Sequence, residues 1–120
     1  MKILAVDDSP TMLDILSTTL NAAGHAVETA ADGKQALAIL ATSEVDLIIS
    51  DLNMVFMSGF ELLHEVRKSP VHMATPFVFL TTETDAELRQ AARGAAATAW
   101  MVKPFNPEQL VQFVSRFQPV

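Results

Sequence analysis

The chain has 120 residues, 50% of them apolar and 18% charged, with 8 basic against 14 acidic side chains and a formal net charge of −6. A chain of this length buries roughly two-thirds of its unfolded surface around a single core, so one domain over residues 1–120 is expected, and two domains or a disordered chain are excluded. Eight scattered Lys and Arg do not build a nucleic-acid-binding surface, and the absence of Cys excludes disulfides, thiolate zinc sites and thiol catalysis.

Met1-Lys2 runs directly into Ile3-Leu4-Ala5-Val6 and then two acids, without the long apolar region and cleavage site of a secretory leader. Ile3 to Val6 is read as the first strand. Ser9-Pro10 then reads as a helix start, since the hydroxyl can cap free N–H groups and proline at the first helical position loses no hydrogen bond. Leu13, Leu16 and Leu20 recur at helical spacing until Gly24. A weaker strand is expected over Ala26 to Thr29, followed by a helix carrying Ala36, Leu37, Ile39 and Leu40. Leu47 to Ser50 predicts the third strand, and Phe60, Leu63 and Val66 the third helical stripe. Phe77 to Thr81 follows as a strand. The alanine-rich segment Asp85 to Ala95 forms a helix whose thin apolar stripe predicts looser packing than its neighbours. Trp100 to Val102 is the last strand, and Leu110, Val111, Val114 and Phe117 mark the last helix.

Strand and helix thus alternate five times with short connections, the pattern of a doubly wound parallel sheet with helices on both faces. The near-continuous apolarity of the strands predicts a sheet covered on both sides. No apolar run approaches the roughly 20 residues of a membrane span, and the cytoplasm is the expected location. The chain ends about where the fifth helix would, so an effector domain is not expected.

In an open parallel sheet, side chains just past the carboxyl ends of the strands converge on one rim, where ligands bind. That places Asp7 and Asp8 after the first strand, Asp51 after the third, Thr81 after the fourth and Lys103 after the fifth. Crowded carboxylates repel one another, and a bound cation relieves the repulsion. Hard oxygen donors suit Mg2+. A metal beside an ammonium group neutralises phosphoryl oxygens while a carboxylate attacks phosphorus, which is phosphoryl transfer onto an aspartate. Asp7 and Asp8 share one turn and can share a metal, whereas Asp51 on the central strand can face both the cation and Lys103. Asp51 is therefore the expected nucleophile.

Val6-Asp7-Asp8-Ser9, Asp51-Leu52-Asn53-Met54, Met57-Ser58-Gly59, Leu80-Thr81-Thr82-Glu83 and Lys103-Pro104-Phe105, in this order and spacing, resemble the response regulator receiver domain over essentially the whole chain. The resemblance implies a flavodoxin-like sheet of order 2-1-3-4-5 and a phosphoprotein in a two-component system. It further implies that Asp51 takes phosphate from a histidine kinase, that Asp8, Asp51 and the Asn53 backbone carbonyl bind Mg2+, and that Asp7 acts through water. Lys103, in a cis peptide bond to Pro104, would contact the phosphoryl oxygens. Thr81 and Trp100 would form the switch, while the Asn53 and Glu83 side chains would set the phosphate's lifetime. The segment Trp100 to Glu108 with Thr81-Thr82-Glu83 is most similar to free-standing chemotaxis receivers of the CheY type. That implies a monomer, a CheA-like kinase, a FliM-like flagellar switch protein docking on the face of the fourth helix, fifth strand and fifth helix, and a phosphatase as a further partner.

Three positions depart from the family pattern. Val55 stands where proline is usual, which removes a φ lock from the loop beside Asp51. Ala96 and Ala99 occupy positions where glycine is common, and a left-handed Ala96 would be strained by about 1 kcal/mol. Gly59 is expected to serve backbone geometry at a helix start, Met54 and Met57 to pack the loop, and His25, His64 and His72 to be ordinary surface groups. Two other functions compete. One is a relay component, or a stand-alone receiver regulating another kinase or output protein. The other is a turnover phosphatase of the haloacid-dehalogenase type, which would place Asp-x-Asp after the first strand, whereas the acids here are adjacent.

Overall fold

A computed structural model describes residues 1–119. The elements run β1 (Lys2–Val6), α1 (Pro10–Ala22), β2 (Ala26–Ala30), α2 (Gly33–Thr42), β3 (Leu47–Ser50), α3 (Gly59–Lys68), β4 (Phe77–Thr81), α4 (Ala86–Gly94), β5 (Ala99–Val102) and α5 (Pro107–Ser115). All five strands are parallel, in the order β2-β1-β3-β4-β5. The alternation read from the sequence is present throughout, with boundaries shifted by a residue or two. Asp85 lies just outside α4, where its carboxylate caps Glu87 N–H at 2.8 Å.

The strand order explains the layering. The chain steps one way along the sheet through α1 and the other way through α2, α3 and α4. Right-handed crossovers then place those two groups on opposite faces. Alternate strand residues obey that division. Ile3, Ala5, Leu47, Ile49, Val78 and Leu80 pack with Leu16 and Leu20 of α1 and Leu110 and Val114 of α5. On the other face, Leu4, Val6, Ile48, Phe77 and Phe79 meet Leu62, Leu63 and Val66 of α3, with Ala36 from α2 and Ala92 from α4. Ala92 is the one buried residue of α4, in line with its thin stripe.

Coverage on both faces holds for β1, β3 and β4 but not for the edges. Every residue of β5 is only partly buried, and in β2 only Ala30 is buried, Ala26 and Thr29 being exposed. An edge strand has neighbours on one side alone, and the small residues of α4 leave β5 poorly covered. His72 also differs from expectation. It is buried, and its Nε2 accepts the Val45 N–H at 3.4 Å, tying the loop after α3 to the entry of β3. Beside it, Arg67 donates to the carbonyls of His72 at 3.1 Å, Thr75 at 2.7 Å and Ala96 at 2.9 Å. Ala96 does adopt the left-handed conformation, with φ +70°, and the Arg67 guanidinium closes that turn by holding its carbonyl.

Candidate functional site

The reversal of strand order lies between β1 and β3, where the two exit turns diverge and leave a crevice at the carboxyl rim. Asp7 and Asp8 leave β1 there, and Asp51 leaves β3 beside them. Asp7 is buried, Asp51 half-buried and Asp8 exposed, and one carboxylate oxygen from each lies within 4.8 Å of the others. The local backbone fixes two of the three. Asp7 accepts the Ser9 N–H at 3.0 Å as the chain turns into α1. Asp51 Oδ1 accepts the Leu52 N–H at 2.7 Å, and the buried Ser50 hydroxyl donates to the Asp51 carbonyl at 2.8 Å.

Lys103 reaches this cluster from the end of β5. Its Nζ lies 2.7 Å from Asp7 Oδ2 and 3.2 Å from Asp51 Oδ2, so one ammonium group bridges two acids. Burial would lower the Lys103 pKa, but the hydrogen bonds and charges of Asp7 and Asp51 outweigh it and hold the group above its ordinary value. Lys103 is therefore cationic at any physiological pH. The Lys103-Pro104 peptide bond is cis, as the resemblance implied.

The donor set fits a hard divalent cation, being composed of carboxylate oxygens with one exposed member open to solvent. Opposite ligands of an octahedral Mg2+ at about 2.0–2.1 Å lie roughly 4 Å apart. One carboxylate oxygen from each acid lies close enough to the others for all three to face one cation, directly or through water.

Thr81, at the end of β4, is fully buried, and its Oγ1 accepts the Glu83 N–H at 3.3 Å. The Glu83 carbonyl in turn accepts the Trp100 indole N–H at 3.2 Å. Trp100 is half-buried, its ring edge-on to Phe79 at 5.6 Å. Thus Thr81, Glu83 and Trp100 form one chain of contacts leading from the rim to β5. Asn53 sits exposed two residues past Asp51.

The seven positions singled out by sequence besides Asn53 therefore fall into a bridged acid cluster and a chain leading away from it. Sequence reading missed the direct Asp7–Lys103 pair, which joins residues 96 apart, and the Ser50 hydroxyl. Gly59 opens α3 without a positive φ; what its position requires is space, because a Cβ there would strike the Asp51 carbonyl oxygen.

A parallel sheet whose switch-point acids are bridged by a lysine from the last strand defines a class of aspartate-bearing signalling domains. The family model described as "Response regulator receiver domain" matches residues 3–115, and the chain belongs to that family. Receiver domains bind Mg2+ at such an acidic pocket and interact with histidine kinases and downstream targets. Among solved structures, the chain is 48% identical to the Vibrio cholerae chemotaxis protein CheY4, with a TM-score of 0.94 over 98% of both chains. It is 31% identical to the Thermotoga maritima response regulator TrrA in complex with Mg2+-BeF, with a TM-score of 0.86 over 98% of both chains. It also matches transcriptional regulators while spanning less than half their length. TcrA of Mycobacterium tuberculosis, for example, is 32% identical over 48% of its residues.

Proposed function

We propose that this receiver is a phosphorylation switch that accepts a phosphoryl group on Asp51 and, once modified, binds the flagellar motor in a chemotaxis circuit. The observation carrying this reading is the Lys103 ammonium shared by Asp7 and Asp51 next to exposed Asp8. That arrangement leaves one carboxylate oxygen pinned by Leu52 N–H and the other beside a cation that an incoming phosphoryl group can also contact. In the transfer step the N–P bond of a kinase phosphohistidine breaks, the electron pair stays on the imidazole nitrogen, and an Asp51 oxygen forms the new O–P bond. Asp8, Asp51 and the Asn53 carbonyl, with Asp7 through water, would hold a Mg2+ ion, which when bound would supply charge neutralisation at the phosphoryl oxygens. Lys103 contributes a second positive charge at the same oxygens.

The phosphoryl group then competes for the Thr81 hydroxyl. Turning that hydroxyl toward the rim weakens its bond with Glu83 N–H. The Glu83 carbonyl is what holds the Trp100 indole, so the ring is freed to move inward. Trp100 lines a groove with Arg89 and Arg93 of α4, Phe113 of α5 and Arg116 just past its end. None of those arginines is ion-paired among the described residues. Concentrating three of the eight basic side chains of an acidic protein on one face suits an acidic output partner of the flagellar-switch kind. The Glu83 and Asn53 side chains, at the edge of the site, tune hydrolysis of the phosphate. The 48% identity to a chemotaxis CheY favours motor control over a relay role.

Labelling with phosphoramidate should require Mg2+ and vanish in Asp51→Asn, and the labelled chain should bind a flagellar switch protein more tightly than the unlabelled one. Label persisting in Asp51→Asn overturns the phosphoacceptor. Transfer to phosphotransfer domains without any gain in switch-protein affinity replaces the motor role with relay.

A further inference from the structure

Between Asp51 and α3 the chain makes a tight turn. Met57 N–H donates to the Val55 carbonyl at 2.9 Å across Phe56, whose φ is +72°. A hydrogen bond across a single residue with positive φ marks the rare, strained form of the γ-turn. Phenylalanine is poorly suited to that conformation, since a Cβ at positive φ crowds the following carbonyl. The turn nevertheless puts a large apolar side chain at its apex, 87% exposed, beside Val55 at 54%. Its flanks are fixed. Met54 and Met57 pack against the core cluster under α2 and α3, and the space for the Met57 side chain exists because residue 33 is glycine. An aromatic ring held out on an anchored turn is preorganised for contact, which reduces the ordering entropy lost on binding. Aromatic rings that become buried on binding dominate interface energetics.

The position of the loop identifies the partner. Asp51 is the first residue of the segment that carries Phe56, and its side chain is only 14% exposed in a shallow crevice. A protein that delivers a phosphoryl group there has to lie on the rim and cover the adjacent turn. The face proposed above for output docking lies elsewhere, along the groove between α4, β5 and α5. Resting on the reading of Asp51 as phosphoacceptor, we propose that Phe56 is the apolar anchor by which a phosphohistidine protein docks on this receiver, inserting into an apolar pocket beside the donor histidine. A small phosphodonor reaches Asp51 without touching the ring, so the anchor governs selection of the protein donor and leaves the chemistry alone.

The test compares Phe56→Asn, which tolerates positive φ but lacks the ring, with Phe56→Trp, which keeps an aromatic anchor. The donors are phosphoramidate and the autophosphorylated histidine kinase of the same organism that labels the unaltered chain fastest. Phe56→Asn should lower kcat/KM for transfer from the kinase by about tenfold or more, chiefly through KM. Labelling by phosphoramidate should stay within about twofold, and Phe56→Trp should restore most of the kinase rate. Transfer from the kinase at the unaltered rate in Phe56→Asn overturns the proposal. So does an equal loss with both donors, which would assign the ring to the integrity of the site, and so does a loss confined to output-partner binding. If phosphoramidate fails to label the unaltered chain, the Asp51 reading falls first and this inference with it.

Discussion

One methyl group added at Gly59 tests how tightly α3 is set against the exit of β3. A Cβ there would strike the Asp51 carbonyl oxygen and lie 2.6 Å from Phe79 Cε1 and 2.9 Å from Leu52 Cα, where carbon atoms ordinarily approach to about 3.5–4.0 Å. Two of the three obstacles are backbone and cannot rotate away, so the start of α3 has to retreat by roughly 1 Å. That retreat stretches the hydrogen bond from Gly59 N–H to the Leu52 carbonyl, now 2.7 Å. Overpacking of this kind costs about 1–3 kcal/mol. At roughly 3–5 °C per kcal/mol for a domain of this size, Gly59→Ala should lower Tm by about 3–15 °C. It should also weaken Mg2+ binding, because the peptide it displaces belongs to Asp51. Gly94→Ala is the control: its Cβ meets nothing within 4 Å at the end of α4, and the methyl should raise stability by up to about 0.4–1 kcal/mol. Urea denaturation and Mg2+ titration followed through Trp100 fluorescence read both effects. A Gly59→Ala protein with an unchanged denaturation midpoint and unchanged Mg2+ affinity would refute the steric account.

Two further outcomes follow from the charges. Lys103→Ala leaves Asp7, whose side chain is 3% exposed, facing Asp51 with no cation between them. Breaking such a pair costs on the order of 3 kcal/mol, and saturating Mg2+ should recover more stability in the variant than in the parent; equal recovery in denaturation experiments would show that the metal and the ammonium do not share these acids. His72 is held neutral, burial lowering its pKa against the opposing charge of Glu44. Because the unfolded chain then takes up the proton first, stability is full above about pH 6.5 and falls as the pH drops below it toward the lower folded value. His72→Gln should flatten this acid limb of a stability profile, and an unaltered limb would exclude His72 as its source.

The sequence discloses which side chains reach the rim but not how they pair there. Asp7, Asp51, Thr81 and Lys103 each stand directly after a short apolar run, and parallel strands with short connections have their carboxyl ends on one side, so convergence follows from strand identification alone. The pairing within the rim depends on side-chain reach. The sequence pattern faces Lys103 with Asp51 and leaves Asp7 to the metal, yet the Lys103 ammonium approaches Asp7 at 2.7 Å and Asp51 at 3.2 Å.

The same limit explains the remaining differences. His72 is followed and preceded by exposed apolar residues, Met73 and Val71, so neither periodicity nor composition marks it as the buried member of its loop. Ala96 and Phe56 occupy left-handed backbone without the glycine that would announce it. At Ala96 the compensation is visible, since Arg67, 29 residues earlier, binds the carbonyl of the strained residue. At Phe56 the turn's own hydrogen bond and the flanking methionines hold the conformation, while the ring stands 87% exposed. Strain that supports an interior contact is explained by the fold. Strain that holds an aromatic ring in solvent five residues after Asp51, the proposed phosphoacceptor, calls for a contact outside the chain, which is why the kinase comparison at Phe56 bears on function and the glycine comparison at residue 59 bears on architecture.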